Sequence, residues 1–440
     1  MKPCIEDCVE LLQLSHKLTS SAAMLPTPRL VVFTTLFPHP GQPGMGLFIR
    51  ERMFRVGQTL PVVVVAPVPW FPFQGLIRYL KPHFRPPAPR YEQQQGFEVY
   101  HPRFFSVPGR FKTLDGLFLA LSSFVVLRRL KQHYDFEVLD AHFAYPDGYA
   151  ATLLGRWLKV PVTITMRGTE SRLANDPQFR RLLCLALQRA QRIFCVSESL
   201  KRLAITLGVR EEKIQVVPNG VDTGKFAPIS KEKARQKLGL PLQAPVLVTV
   251  GALVERKGFH RVIELMPQLR QEFPELIYLV VGGSSPEGDW RKKLQQQAEA
   301  LGLQERVRFL GQFSPEELKV PLSAADVFVL ATRNEGWANV LLEAMACGLP
   351  VVTTDVGGNA EVISTSNLGE VIPFGDAAAL ESALAGALRK SWERAKLIAY
   401  AKGNSWDLRV ATLVQAFQKL VCTHANESTL KVKNARSIRS

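Results

Sequence analysis

The chain has 440 residues, with 55 lysines and arginines against 39 aspartates and glutamates, a formal net charge of +16. That length exceeds what one hydrophobic core organises, so two domains are expected. The apolar share of 46% with 21% charged residues is that of an ordinary globular protein, and the positive excess calls for a polyanionic partner: nucleic acid, an anionic membrane surface or phosphorylated small molecules.

No run reaches the ~20 apolar residues of a membrane span. Leu114 to Leu127 comes nearest, but Asp115 and a serine pair make it a packed helix. Six cysteines (Cys4, Cys8, Cys184, Cys195, Cys347 and Cys422) contain no CxxC pair, which favours a reduced, cytoplasmic protein with buried thiols and no metal. Residues 1–28 lack the basic start and clean apolar core of a secretory signal and read as an unstructured leader, with Met24 as an alternative start.

From Leu30 the pattern is α/β. LVVFTTL is a β-branched strand. It runs into a Pro/Gly loop whose Gly44 and Gly46 precede a helix, LFIRERMFRV, the layout of a turn that approaches phosphate. The strand PVVVVAP at 61–67 completes a parallel βαβ unit. Residues 68–112 lose periodicity and carry seven bases (Arg78, Lys81, Arg85, Arg90, Arg103, Arg110, Lys112) against Glu92 and Glu98. They read as a solvated insertion or as a basic, aromatic-edged surface for an acceptor or membrane. FEVLDAH places His142 at the carboxyl end of a strand, where open α/β sheets bind ligands, although a lone histidine is more often structural. PVTITMRGTE adds a strand and the Arg167-Gly168 turn, and Asn219-Gly220 is a strong turn dipeptide.

A polar, helical stretch from Phe226 to Ala244 separates a second α/β series that begins at PVLVTVG. In its first loop, Gly251 to Gly258, Arg256 and Lys257 stand beside a helix start, where a guanidinium, an ammonium and free N–H groups suit a diphosphate; two surface bases are the plainer reading. Gly282 and Gly283 allow close approach to a nucleotide. RNEGWANVLLEAMACGLPVVTT, Arg333 to Thr354, then reads as loop, helix from Asn339 to Cys347, turn at Gly348 and buried strand. Two carboxylates on such a unit are common without any site. Here, however, Glu335 in the loop and Glu343 on the helix can converge, Asn339 shares a face with Glu343, and Gly336 permits close backbone approach.

EGWANVLLEAMACGLPVV resembles the E-x7-E signature of the retaining glycosyltransferases of family 4, with their two-domain GT-B fold. GALVERKG is similar to that family's G-R-L-x-x-x-K-G, DAHFAYPDG to its H-x-H segment with Asp140 in place of the first histidine, and PNGVD to its hinge. Arg167-Gly168 stands where the family usually has His-Gly. The resemblance implies two Rossmann-like doubly wound parallel-sheet domains: residues 29–226 on the acceptor side and 227–402 on the nucleotide-sugar side. A helix at 403–421 crosses back, and 422–440 form a basic, disordered tail. It also implies a catalytic set of His142, Glu335, Arg256 and Lys257. The donor is held by Gly44, Gly46, Gly283, Gly336, Trp337, Ala338, Asn339, Val340 and Glu343, with Glu335 on sugar hydroxyls and Glu343 on the ribose diol. The donor would be a UDP- or GDP-sugar and the acceptor a glycan or lipid-linked hydroxyl in exopolysaccharide assembly. No cofactor or metal is expected; peripheral attachment at the inner membrane face is, and nucleic acid is not. A sugar-nucleotide epimerase of the same fold and a non-catalytic nucleotide- or nucleic-acid-binding scaffold are the alternatives.

Overall fold

The computed structural model of the chain describes residues 26–80, 84–285 and 287–437; the expectations for residues 1–23 and Met24 lie outside them. Two parallel sheets form two domains. The first contains β1 (Leu30–Phe33), β2 (Val62–Val65), β4 (Tyr91–Gln94), β5 (Phe97–Tyr100), β7 (Val138–His142), β8 (Val162–Met166), β9 (Arg192–Cys195) and β10 (Ile214–Val216), in the order β10-β9-β8-β7-β1-β2-β5-β4. Two short strands, β3 (Val68–Trp70) and β6 (Arg103–Phe105), pair beside it. The second sheet contains β11 (Val246–Val250), β12 (Ile277–Val281), β13 (Val307–Gly311), β14 (Val327–Leu330), β15 (Val351–Thr354) and β16 (Gly369–Ile372), in the order β13-β12-β11-β14-β15-β16.

Strands β1, β2, β7, β8, β12, β14 and β15 are buried along their whole length. This is why they read as continuous apolar runs rather than alternating ones: helices cover both faces of a parallel sheet. In each sheet the chain turns back next to the first strand, between β1 and β7 and between β11 and β14. The loops at the carboxyl ends of those four strands therefore splay apart and leave a crevice, the usual ligand position in open α/β sheets.

The segment 68–112 is more ordered than a solvated insertion. Phe97–Tyr100 joins β2 in parallel and Tyr91–Gln94 closes the edge antiparallel to it. Single-sequence periodicity misses it because these strands are short and only half-buried. The last helix, Trp406–Ser437, also departs from expectation. It continues beyond residue 421 where a disordered tail was expected, because no glycine or proline interrupts residues 422–437. Its first half crosses back as expected: Val410, Leu413, Val414 and Phe417 are buried in the first domain's core with Ile49, Met53 and Phe194.

Two crossings join the domains, and they touch. Val221 bridges Ser405, and Gly220 packs so closely that a Cβ there would lie 2.5 Å from the Trp406 nitrogen. Gly220→Val is expected to lower stability by about 1–3 kcal/mol through this collision, measured by urea denaturation; an unchanged midpoint would show that the hinge has room to spare.

Candidate active site

The loops after β11 and β14 are knitted together. Gly258, at φ +78°, leaves no room for a Cβ, which would fall 1.9 Å from the Ala331 carbonyl oxygen. Arg333 N–H and Thr332 Oγ1 both donate to the Arg256 carbonyl, at 2.8 and 2.9 Å. This lacing brings four side chains to one place. Lys257 Nζ donates to Glu335 Oε1 at 2.6 Å, and Thr332 Oγ1 and Arg256 Nη1 stand 3.2 and 3.5 Å from the same oxygen. Arg256 turns its other nitrogens to Glu287, at 2.7 and 2.9 Å. That pairing raises the guanidinium pKa against the effect of burial and lowers the Glu287 carboxyl.

The helix carrying the second acid runs Asn339–Ala346, with Gly348 left-handed at φ +75°. No side chain caps its start, and none caps the helix that begins at Phe259, so both present unshared N–H groups. Glu343 is half-buried and no hydrogen bond or ion pair is formed by its carboxyl among the described residues. Desolvation pushes it up to about 7, against the pull of Lys257.

The first domain meets this cluster at a tight seam. Gly336 and Gly168 pack backbone to backbone: a Cβ on Gly336 would lie 2.0 Å from the Arg167 carbonyl oxygen, and one on Gly168 2.6 Å from Gly336 Cα. Gly336 thus admits the other domain's chain, the close approach that the sequence suggested for a ligand. Trp337 packs against the cores of both domains, with Nε1 buried and unpartnered. Ala338 is buried and Val340 half-buried in the second core. Glu361 reaches across to accept from the N–H groups of Glu198 and Ser199, at 2.7 and 3.0 Å.

His142 has no exposed surface. Its Nδ1 accepts from Arg167 Nε and Nη2, at 3.1 and 2.9 Å, while Nη1 donates to Asn219 Oδ1 at 3.2 Å. Asn219 Nδ2 in turn donates to Asn339 Oδ1 at 2.9 Å. The histidine therefore connects with the second domain through Arg167 and Asn219. Burial and the Arg167 and Arg52 charges hold His142 well below its ordinary range, so the ring is neutral. Two carboxylates that the motifs contained but the sequence did not single out build this wall. Glu170 accepts from the N–H groups of Ala144, Arg167 and Gly168, at 2.9, 3.2 and 2.8 Å. Asp147 accepts from Thr35 N–H and Oγ1, both at 2.9 Å. Glu170 stands two residues past Gly168, and Asp147 follows Pro146; neither position marks a site by itself.

A cavity of about 1370 Å³ opens between the domains. Of the residues expected at the site, Gly44, Gly46, Gly283 and Arg256 line it; His142, Lys257, Glu335, Glu343 and residues 336–340 do not. Arg256 belongs both to its wall and to the Glu335 cluster. Gly44 faces Gln312 across the opening, 3.7 Å from Nε2, and Gly283 lies 3.3 Å from Gln312 Oε1, both measured to an added Cβ. Among the described residues, no three His, Cys, Asp or Glu side chains converge to hold a metal.

Two doubly wound domains facing each other at their switch points, with paired acids and bases on the second, define the GT-B class of glycosyltransferases. Residues 59–225 match the model of "Glycosyltransferase Family 4" and residues 230–404 that of "Glycosyl transferases group 1". The chain is 29% identical over 340 residues to a putative teichuronic acid biosynthesis glycosyltransferase of Bacillus subtilis, covering 75% of this chain and 82% of that one. It is 31% identical over 316 residues to a D-inositol 3-phosphate glycosyltransferase of Corynebacterium urealyticum, covering 67% and 74%. HepE of Anabaena, solved in complex with UDP, superposes with a TM-score of 0.67 at 19% identity over 89% of this chain and 100% of HepE. WaaG, a glycosyltransferase of lipopolysaccharide biosynthesis, gives 0.61 at 20% over 89% and 99%. The chain belongs to the group 1 glycosyltransferases.

The raised Glu343 pKa has a consequence for stability. The fold favours the neutral carboxyl, so between about pH 4.5 and 7 the folded protein keeps a proton that the unfolded chain has lost. This contribution is complete below pH 4.5 and disappears as pH rises through about 7. Glu343→Gln cannot ionise. Its stability relative to the parent is expected to rise by on the order of 2 kcal/mol between pH 5 and 8, read from paired urea titrations; a constant difference would remove the desolvated site.

Proposed function

We propose that this glycosyltransferase is a retaining enzyme that moves a sugar from a UDP- or GDP-sugar to a hydroxyl of a glycan or lipid-linked acceptor, in assembly of a cell-surface polysaccharide. The observation that carries the reading is the Lys257–Glu335 pair with Arg256 beside it, 2.6 and 3.5 Å from one carboxylate oxygen. Breaking the bond between the sugar and the diphosphate leaves an oxocarbenium-like sugar and a growing negative charge on the leaving group. An ammonium has three protons to offer, and Glu335 takes one. The others, with the Arg256 guanidinium and the uncapped helix starts at Phe259 and Asn339, suit a diphosphate. Glu335, held by the same lysine, accepts from donor-sugar hydroxyls. Glu343 accepts from the ribose diol in its ionised form, and Asn339, Val340 and Gly283 border the nucleotide.

Among the described residues no side chain stands out as a covalent nucleophile, which favours front-face transfer, in which the departing phosphate takes the acceptor proton. His142 contributes by fixing Arg167, and the Gly168–Gly336 seam excludes water from the reacting centre. The positive charge needed at the leaving group is present in side chains, so the reaction is read as independent of a metal. The names of two relatives, a teichuronic acid and a lipopolysaccharide glycosyltransferase, suit an acceptor of the cell envelope. No helix among the described residues is long and apolar enough to cross a membrane, and the net charge of +16 suits a peripheral position at the inner membrane face.

Thermal-shift screening against nucleotide-sugars identifies the donor. Lys257→Ala and Glu343→Ala are each expected to cut transfer from it by about 10²–10³-fold with melting curves close to the parent's; near-normal transfer by both would remove the site. Transfer is expected to persist in EDTA, and a requirement for added divalent cation would overturn metal independence. Nucleotide affinity should rise as pH passes through about 7, where Glu343 ionises, and Glu343→Gln should abolish that dependence in calorimetric titrations.

A further inference from the structure

The cavity has two unlike walls, and only one serves the chemistry above. The second domain contributes Gly251, Gly283, Gln312 and the Arg256–Glu287 pair. The first domain contributes Arg78, Arg85, Arg103 and Lys112 against a single carboxylate, Asp115. Three of these five groups meet at Ser106. Arg85 Nη1 donates to the Ser106 carbonyl at 2.6 Å, Lys112 Nζ donates to Ser106 Oγ at 2.8 Å, and Lys112 Nζ also lies 3.0 Å from Asp115 Oδ2. Asp115 is thus already neutralised by Lys112. Arg85 also packs near the rings of Phe71 and Phe84, each 5.6 Å away, and burial depresses its pKa. The Arg103 side chain is exposed and forms no hydrogen bond or ion pair among the described residues, and Arg78 Nε is buried without a partner. Four cations around one spent carboxylate leave a net positive wall, with the Arg78 Nε donor unpartnered. A basic concave wall of this kind concentrates anions from solution.

The rim beside this wall is apolar. Trp70 and Phe73 line the cavity and remain 38% and 81% exposed. On the helix Gln74–Leu80, which carries Arg78, Leu76 and Tyr79 are 70% and 92% exposed. Large side chains bared together next to a basic wall expect apolar company.

We infer that the first-domain wall of the cavity binds the acceptor by an anionic group, phosphate or diphosphate, joined to a hydrocarbon chain that leaves over Trp70, Phe73, Leu76 and Tyr79. This deepens the glycosyltransferase reading and rests on it: the acceptor is an amphiphilic, phosphate-bearing lipid, and its hydroxyl-bearing end faces the Arg256 side. The basic wall alone would serve a soluble sugar phosphate equally well; the apolar rim selects the lipid.

The test keeps the two readings apart. The full-length protein is first titrated with UDP and with GDP, and failure of both to bind would strike at the glycosyltransferase site rather than at this wall. The protein saturated with the nucleotide that binds is then titrated calorimetrically with farnesyl diphosphate, inorganic diphosphate and farnesol. The inference expects farnesyl diphosphate to bind at least tenfold more tightly than either of the others. Arg103→Ala combined with Arg78→Ala should weaken it at least tenfold while the nucleotide titration is unchanged, and Leu76→Ser combined with Tyr79→Ser should erase its advantage over inorganic diphosphate. Affinity should also fall as salt is raised from 50 to 300 mM, about as expected for screened ion pairs. Equal binding of farnesyl and inorganic diphosphate would overturn the lipid half in favour of a soluble phosphate. Binding of farnesyl diphosphate that survives the arginine double substitution would overturn the inference altogether. Melting curves identify any variant that fails to fold, and the single variant Arg103→Ala, at an exposed position, then repeats the measurement.

Discussion

The site depends on two loops that cannot be separated. The chain leaving β11 and the chain leaving β14 cross so closely that Gly258 has no room for a methyl group, and the Arg256 carbonyl is held by both Thr332 and Arg333. Because the backbone is fixed, Lys257 and Glu335 meet with little side-chain freedom left to lose, and an ammonium–carboxylate bond of 2.6 Å results. Both side chains are nearly buried. A pair in that position contributes less to stability than to placement, since desolvating two charges offsets most of their attraction. Its value lies in presenting a lysine and a carboxylate at fixed points beside two uncapped helix starts.

The first domain answers with a buried network of its own. Arg167 sits in the turn after β8, and its guanidinium ties His142 to Asn219 and, through Asn219, to Asn339 on the acid-bearing helix. Asp140, which takes the place of one expected histidine, accepts from Thr163 Oγ1 at 2.6 Å and is raised by burial to about 6. Arg52 completes the group, donating to the Val217 carbonyl at 3.1 Å. The two departures from the family pattern therefore fall side by side in space. Asp140 and Arg167 stand here with Arg52 and His142, a buried group in which one carboxyl offsets part of two guanidinium charges.

Much of the second domain was legible in the chain. The helix at Asn339, its end at Gly348 and the strand at Val351 appear where periodicity, the left-handed cap position and β-branching put them. The loop bases at Arg256 and Lys257 stand beside a helix start because a glycine precedes it. Other roles were not legible. That Gly336 and Trp337 are domain contacts could not be read from the chain, since a glycine that admits a ligand and one that admits another backbone are identical in sequence. Glu170 and Asp147 carry no periodic or spacing signal, because they act on backbone N–H groups brought near by the sheet rather than by the chain.

By itself the sequence determined what short-range physics can: where strands and helices begin and end, that they alternate in two series, and which residue types stand at the loop ends. Only the tertiary structure decided which of those residues meet. Glu335 and Lys257 are 78 positions apart, Asn219 and Asn339 are 120 apart, and Glu361 caps a helix that begins 163 residues earlier. Local pattern carries no information over such separations. The parallel sheet does, because its strand order places loops from distant parts of the chain at one edge and its buried strands leave them no other place to go.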